Sequence, residues 1–213
     1  MADNALRIQD RSYDELRAIA ERFLAEHHPE LTIPIPIEEI IEFQLELDII
    51  PTPGLSKGFE IDGFLSRDFS SIYVDDFIQS NRSTRYRFTL AHEVGHLVLH
   101  KVLLDEMATF DDVDSWREFV KNLGQDKGSY EYQGYAFAGY VLVPKHHLSA
   151  KVVQCIPEIE AEVAAAKCAG ISRAAYLDFA VNSLSNKLAG MFDVSAEVIQ
   201  KRIKTDKLDA KIP

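Results

Sequence analysis

Two histidines and a glutamate stand together in the run RYRFTLAHEVGHLVLH, which covers residues 85–100. His92 and His96 are four residues apart, so on a helix their side chains lie on the same face and can share one metal ion. Glu93 follows the first histidine and projects beside that ion, where a general base can act on a water. The H-E-x-x-H pattern therefore predicts a zinc peptidase site, with His92 and His96 as ligands and Glu93 as the catalytic base.

The segment around the motif is apolar over a wide helical arc, unlike an exposed amphipathic helix that carries two surface histidines. Its apolar residues are Phe88, Leu90, Ala91, Val94, Leu97 and Val98. A helix of this kind is mostly buried, so the motif side chains are expected to be buried too. Buried imidazole and carboxylate groups need partners, because an unpaired buried charge is costly, and a metal ion supplies them.

A catalytic zinc ion has three protein ligands, so the histidine pair needs a third. A metzincin would have glycine at position 99 and histidine at position 102, and the chain has Leu99 and Val102 there. His100 lies about 12 Å along the helix from His92, too far for both to bind one ion. We expect His100 to cap the helix end or to contact a ligand. A carboxylate on a later helix remains, and Glu131 is the favoured candidate.

Other polar side chains could contribute to the site, and each has a plainer structural interpretation. The acids outside the motif are expected to be solvated: Asp75, Asp76, Asp105, Glu106, Asp111 and Asp112. Arg85 and Arg87 could bind a peptide carboxylate, although an ion pair is the simpler role. The candidates for stabilising a tetrahedral oxyanion, for which core packing or surface exposure is the plainer interpretation, are Tyr130, Tyr135, Tyr140, His146 and His147.

The composition is that of an acidic globular protein. The 213 residues suffice for one sizeable domain, and the net charge of −11 disfavours binding to nucleic acid or anionic membranes. No apolar run approaches the ~20 residues of a membrane helix, and the N-terminal residues lack the apolar core of a signal peptide. With only two cysteines, a disulfide framework is not indicated, and a cytoplasmic location is expected.

Helical spacing of apolar residues dominates the chain, and extended segments are confined to a short central stretch. A strand over 48–52 precedes two segments, 59–66 and 71–74, whose alternation predicts an antiparallel hairpin. Loops are predicted over 54–58 and 124–129. Helices are predicted over 12–27, from Pro36 to about Leu45, from the motif to about His100 or slightly beyond, and over 113–123, 131–143, 148–156, 158–168, 172–192 and 194–203.

These elements predict an α+β fold, namely a mainly helical, zincin-like metallopeptidase core with a small antiparallel sheet, followed by a helical C-terminal region. We expect the core to span residues 1–145 and the C-terminal region, residues 146–213, to pack on it. The last two helices, with a break at Asp193 and a basic end, could form a helix-turn-helix. A packing element or a docking surface for a partner protein is favoured, because the chain is strongly acidic.

Two segments resemble motifs of the ImmA/IrrE metallopeptidase family. RYRFTLAHEVGHLVLH is similar to the family's R-x-R-F-T-x-A-H-E-x-G-H-x-x-x-H, and EYQGYAFAGYVLVP resembles E-x-x-A-N-x-F-A-x-x-L-L-M-P. The resemblance extends over about residues 33–208. The family's Ala-Asn is Gly134-Tyr135 here, and in the family the second of these, an Asn or Asp, can orient a metal-bound histidine.

The resemblance implies that His92, His96 and Glu131 bind zinc and that Glu93 activates water. It implies an endopeptidase that uses Zn²⁺, or another divalent metal such as Mn²⁺, in bacteria or their mobile elements. Known members cleave, or relieve repression by, helix-turn-helix repressors, so the expected partner is a transcriptional repressor, without direct binding to nucleic acid or membrane. The alternative is a metal-containing regulatory module that binds its partner without cleaving it, and the complete set of site residues favours the enzyme.

Overall fold

Helices dominate the residues that the computed structural model describes, 8–107 and 112–213, which confirms the mainly helical α+β fold. The helices up to residue 142 are α1 Tyr13–His27, α2 Ile37–Glu39 with a π-helical continuation Ile40–Gln44, α3 Leu55–Phe59, α4 Asp76–Asn81, α5 Ser83–Met107, α6 Val113–Asn122 and α7 Lys127–Leu142. They are followed by α8 Lys145–Cys168, α9 Arg173–Phe192 and α10 Ala196–Thr205. Among the described residues, no helix has the length and apolar character needed to cross a membrane.

The chain separates into two compact units. One comprises the described residues up to Leu31 and those within Pro36–Val141, and the other comprises Thr32–Ile35 and Leu142–Pro213. All of the residues predicted to bind a metal lie in the first unit. The assignment of the peptidase core to residues 1–145 stays a prediction.

The small sheet has three strands in the order β1–β3–β2, with β1 at Asp48–Thr52, β2 at Gly63–Leu65 and β3 at Ser71–Asp75. The predicted antiparallel pairing is confirmed for β2 and β3, whereas β1 pairs with β3 in parallel, so the sheet is mixed. The prediction of an antiparallel sheet is wrong for β1 because β3, which follows β2 in the chain and runs opposite to it, lies next to β1 and runs in the same direction as β1. This order leaves β2 at an edge of the sheet.

Asp75 is buried, with 2 % of its surface exposed, and the prediction that it is solvated is wrong. Its carboxylate accepts hydrogen bonds from the backbone N–H of Ile78 at 3.0 Å and of Ser56 at 2.8 Å. The first bond caps α4 and the second holds the start of α3, a helix where the sequence predicts a loop. One carboxylate at the end of β3 therefore accepts from N–H groups in the first turns of two helices, where an N–H group has no partner within its own helix.

The helix that carries the motif is longer than predicted. α5 continues to Met107, because Leu103 and Leu104 extend its buried face, so His100 lies inside the helix and does not cap its end. The predicted loop over 124–129 is also wrong, since a 3₁₀ turn at Gly124–Asp126 leads directly into α7.

The second unit consists largely of α8, α9 and α10. α8 passes through Pro157 without the predicted break, because buried residues run along one face on both sides of the proline. Ser172 and Ser195 cap α9 and α10 through their side-chain oxygens. A short 3₁₀ turn, Leu208–Lys211, follows α10.

Candidate metal centre

Three side-chain atoms from α5 and α7 converge at one point of the first unit. The Nε2 atoms of His92 and His96 lie 2.9 Å apart, and His92 Nε2 lies 3.4 Å from Glu131 Oε2. Bonds of about 2.0–2.1 Å to a tetrahedral zinc ion would place its ligand atoms about 3.3 Å apart, close to these separations. All three atoms lie within 4.8 Å of one another, so these residues could together hold a divalent metal ion.

The geometry of the two helices explains the convergence. His92 and His96 are one turn apart on α5, and their rings meet edge to face with centroids 4.5 Å apart. α7 approaches closely at Gly134, where an added Cβ would lie 2.8 Å from His92 Cε1 and 3.1 Å from His96 Cε1. A glycine at this position therefore leaves room for both imidazoles between the helices, three residues after Glu131.

The donor set favours positive charge at this point. Burial disfavours the imidazolium of His92, but the hydrogen bond to Glu131 and the charges of Glu93 and Glu131 raise its pKa above the ordinary value. Burial, with His92 and His100 nearby, lowers the pKa of His96 well below the ordinary value. His96 is therefore a neutral imidazole, and the carboxylates beside it attract positive charge. Imidazole and carboxylate donors of this kind suit a divalent metal.

Glu93 lies beside this group and is 5 % exposed. Its Oε2 atom accepts a hydrogen bond from the backbone N–H of Leu65 in β2, at 3.1 Å. Burial raises the pKa of Glu93 to about 7, and the charge of Glu131 adds to this effect while His92 opposes it. A carboxylate with this pKa and a fixed orientation can accept and return a proton near neutral pH.

His92 lacks the acceptor that usually orients a metal-bound histidine. Its Nδ1 atom is buried and has no hydrogen-bond partner among the described residues. Tyr135, which occupies the position of the family's Asn or Asp, packs its ring on His92 with centroids 4.6 Å apart. The tyrosine therefore contacts the imidazole through its ring and does not replace the missing acceptor.

The other histidine of the candidate metal site, His96, has a hydrogen-bond partner at its Nδ1 atom. His96 Nδ1 lies 3.0 Å from His100 Nδ1, and His100 Nε2 lies 3.2 Å from Gln133 Oε1. His100 does not belong to the group of three formed by His92, His96 and Glu131. It contacts His96, which is one of the two roles expected for it. Neither Gln133 nor its partner Arg11 was identified from the sequence, because no motif or spacing connects them with the histidines.

The possible oxyanion donors occupy different places. Tyr130 is buried and stacks on His96 with centroids 3.8 Å apart, whereas Tyr135 is 57 % exposed beside His92. Tyr140 is buried in α7, and His146 and His147 belong to the second unit. Only Tyr135 therefore combines contact with a ligand candidate and access to a substrate.

The remaining charged candidates lie apart from the group of three. Arg85 forms a bidentate ion pair with Asp62, which immediately precedes β2, in agreement with the structural role expected for Arg85. Asp105 and Glu106 are exposed on α5, and Asp112 caps α6. Asp111 lies outside the described residues.

In a comparison with known protein families, residues 77–204 match the IrrE N-terminal-like domain of the M78 peptidases. The matched segment contains α5 and α7, and with them all three converging residues and Glu93. No curated protein matches the chain. Because the match covers more than half of the sequence, the chain belongs to the ImmA/IrrE family, which is a family of metallopeptidases.

Proposed function

We propose that the protein is a zinc-dependent endopeptidase in which His92, His96 and Glu131 bind the metal and Glu93 is the general base. The observation that carries this proposal is the convergence of His92 Nε2, His96 Nε2 and Glu131 Oε2 beside the buried carboxylate of Glu93. Manganese is a possible substitute for zinc, since imidazole and carboxylate ligands accept several divalent metals.

A bound divalent ion would supply Lewis acidity, polarising a peptide carbonyl and making a water molecule more acidic. Glu93 then takes a proton from the attacking water and gives it to the departing amine. The N–H of Leu65 holds the carboxylate of Glu93 in place for both transfers. Burial raises the pKa of Glu93 to about 7 in the metal-free site, which favours return of the proton to the amine.

We propose that the substrate approaches from the side of the site on which Tyr135 is exposed, since all three residues of the edge strand β2 are buried and the N–H of Leu65 is bonded to Glu93. We propose that Tyr135 donates to the oxyanion, because burial and the nearby Glu131 raise the pKa of its phenol and keep it protonated.

The substrate that we propose is a regulatory protein, such as a helix-turn-helix repressor. The support for this choice is the resemblance of the two motifs to the ImmA/IrrE family. The test is co-incubation of the zinc-loaded protein with the repressor-like product of a neighbouring gene, followed by mass spectrometry of the fragments. We expect defined fragments with the wild type and none with Glu93→Gln.

The Glu93→Gln variant must retain zinc in this experiment, so that loss of cleavage reports on the base alone. The same fragments with the variant would contradict the role of Glu93. A second control with a metal chelator separates cleavage by this protein from a contaminating serine or cysteine peptidase.

One observation favours a second candidate function, a metal-containing module that binds a repressor without cutting it. Within residues 8–107 and 112–213, Nδ1 of His92 has no acceptor, and Tyr135 occupies the position of the family's Asn or Asp, so a histidine ligand is held less firmly than usual. This function predicts a stable complex with the intact partner and no fragments from either wild type or Glu93→Gln.

A further inference from the structure

We propose that Arg11 and Gln133 are positioning residues that, through His100, fix His96 with its proton on Nδ1 and its Nε2 lone pair toward the metal. The four side chains form one hydrogen-bonded chain from the segment before α1 to the proposed metal ligands. The inference rests on the proposed metal site and adds Arg11, which precedes the segment that matches the family.

The orientation of the Gln133 amide is the first step. Arg11 Nη1, which can only donate, lies 2.7 Å from Gln133 Oε1, and the carbonyl oxygen of Gln9, which can only accept, lies 2.8 Å from Gln133 Nε2. Exchanging the oxygen and nitrogen of the amide would place donor against donor and acceptor against acceptor. The oxygen of Gln133 therefore has to face Arg11, and it faces His100 as well.

The protons of the two histidines follow from this orientation. His100 Nε2 is 3.2 Å from the Gln133 oxygen, so it must carry the proton and donate. In a neutral imidazole the other nitrogen, Nδ1, is then bare and accepts. His96 Nδ1 lies 3.0 Å from it and has to donate, which leaves His96 Nε2 without a proton, 2.9 Å from His92 Nε2 in the group of three.

Burial prevents these hydrogen bonds from being exchanged for bonds to water. Gln133 is 1 % exposed, His100 3 % and His96 2 %, so water cannot readily replace a partner that is lost. The guanidinium of Arg11 also bonds the carbonyl of Leu99 at 3.4 Å and places a permanent positive charge near His100. Every contact of the chain is satisfied when His100 donates through Nε2 and accepts through Nδ1.

The direct test is the tautomer of His96 in the metal-free wild type, measured from long-range ¹H–¹⁵N correlations of the histidine rings by NMR. We expect the proton on Nδ1 of His96 and on Nε2 of His100. A proton on Nε2 of His96 in the folded, metal-free protein would overturn the inference. The measurement needs neither bound zinc nor activity.

Substitutions test the same chain through metal affinity, measured by competition with a chromophoric zinc chelator. We expect Gln133→Leu and Arg11→Met each to weaken zinc binding by about 10–100-fold, the range typical of losing an outer partner of a ligand. Gln133→Glu should restore most of the affinity, because its carboxylate accepts from both Arg11 and His100. Arg11 is half-buried and outside the helices, so its variant is informative even if Gln133→Leu does not fold.

The matched control is Ser129→Ala. Ser129 donates to Asp10 at 3.3 Å, so this variant removes another bond between the same segment and α7 without touching the chain of four. Its zinc affinity should equal that of the wild type. An equal loss in Ser129→Ala, or unchanged affinity in both Gln133→Leu and Arg11→Met, would overturn the inference. A wild type that binds no zinc would contradict the proposed function, while the tautomer measurement would still decide the chain of hydrogen bonds.

Discussion

The carboxylate of Glu93 accepts a hydrogen bond from the backbone N–H of Leu65 at 3.1 Å, which connects α5 to the edge strand β2 beside the proposed metal ligands. This bond orients the carboxylate but does not replace the water that burial removes from it. The pKa of Glu93 is therefore raised by burial to about 7, despite the opposing effect of His92. A raised pKa at a buried carboxyl links the stability of the metal-free protein to pH.

We predict that the metal-free wild type loses stability relative to Glu93→Gln as the pH rises from about 4.5 to about 7. The folded state binds the Glu93 proton more tightly than the unfolded state does, so ionisation favours unfolding until the pH exceeds the folded pKa. The difference between variant and wild type should grow to at most about 3 kcal/mol near pH 8. Urea denaturation in the presence of a chelator, at several pH values, measures it.

Glu106→Gln is the control for this pH dependence, because Glu106 is exposed on the same helix. Its stability should follow that of the wild type at every pH. A difference between Glu93→Gln and wild type that stays constant from pH 5 to 8 would show that the Glu93 carboxyl is not destabilised by burial.

Removing the carboxylate of Glu131 should weaken zinc binding while leaving the histidine pair in place. We expect Glu131→Ala to lose more affinity than the roughly 10–100-fold typical of changing an outer partner, because a direct ligand is lost. Metal content after dialysis measures the effect, and Glu106→Ala corrects for the loss of one negative charge. One equivalent of zinc retained by Glu131→Ala would mean that another residue is the third ligand.

The sequence predicts the parts of the site that depend on local geometry. His92 and His96 are one helical turn apart, so their shared face follows from the period of the helix alone. Glu131 was reached by excluding other ligands and through the resemblance to a family, because its approach depends on how α5 and α7 pack. Arg11 could not be predicted, since its bond to Gln133 joins residues 122 positions apart without any motif. The parallel pairing of β1 depends on chain reversal through β2, which alternation of residue types does not encode.

The hydroxyl of Tyr135 should contribute to turnover if it donates to the oxyanion. We predict that Tyr135→Phe lowers kcat by up to about 10²–10³-fold with little change in KM, as loss of a single donor does elsewhere. Zinc affinity should be unchanged, since the ring of Tyr135 and not its hydroxyl contacts His92. Tyr130→Phe is the control, because Tyr130 is buried and stacked on His96. Equal kcat values for Tyr135→Phe and wild type would rule out this donor.

Gly134 and Tyr135 confine the imidazole of His92 together, and we predict that their effects on zinc binding are coupled. A Cβ at position 134 would lie 2.8 Å from His92 Cε1, and the ring of Tyr135 already packs on the same imidazole. Gly134→Ala should therefore displace the ligand and weaken zinc binding about tenfold or more, because a metal site tolerates only about 0.5 Å of error. Gly128→Ala, on the same helix with open space around it, should bind zinc as the wild type does.

The double variant Gly134→Ala/Tyr135→Asn tests the coupling. The smaller asparagine leaves His92 room to move away from the new methyl group and places an acceptor near its unpaired Nδ1 atom. We expect the double variant to bind zinc more tightly than Gly134→Ala alone, so the two substitutions should be strongly non-additive. Additive losses would show that the tyrosine does not restrict the imidazole. In that case the contact with Gly134 alone would limit the position of the ligand.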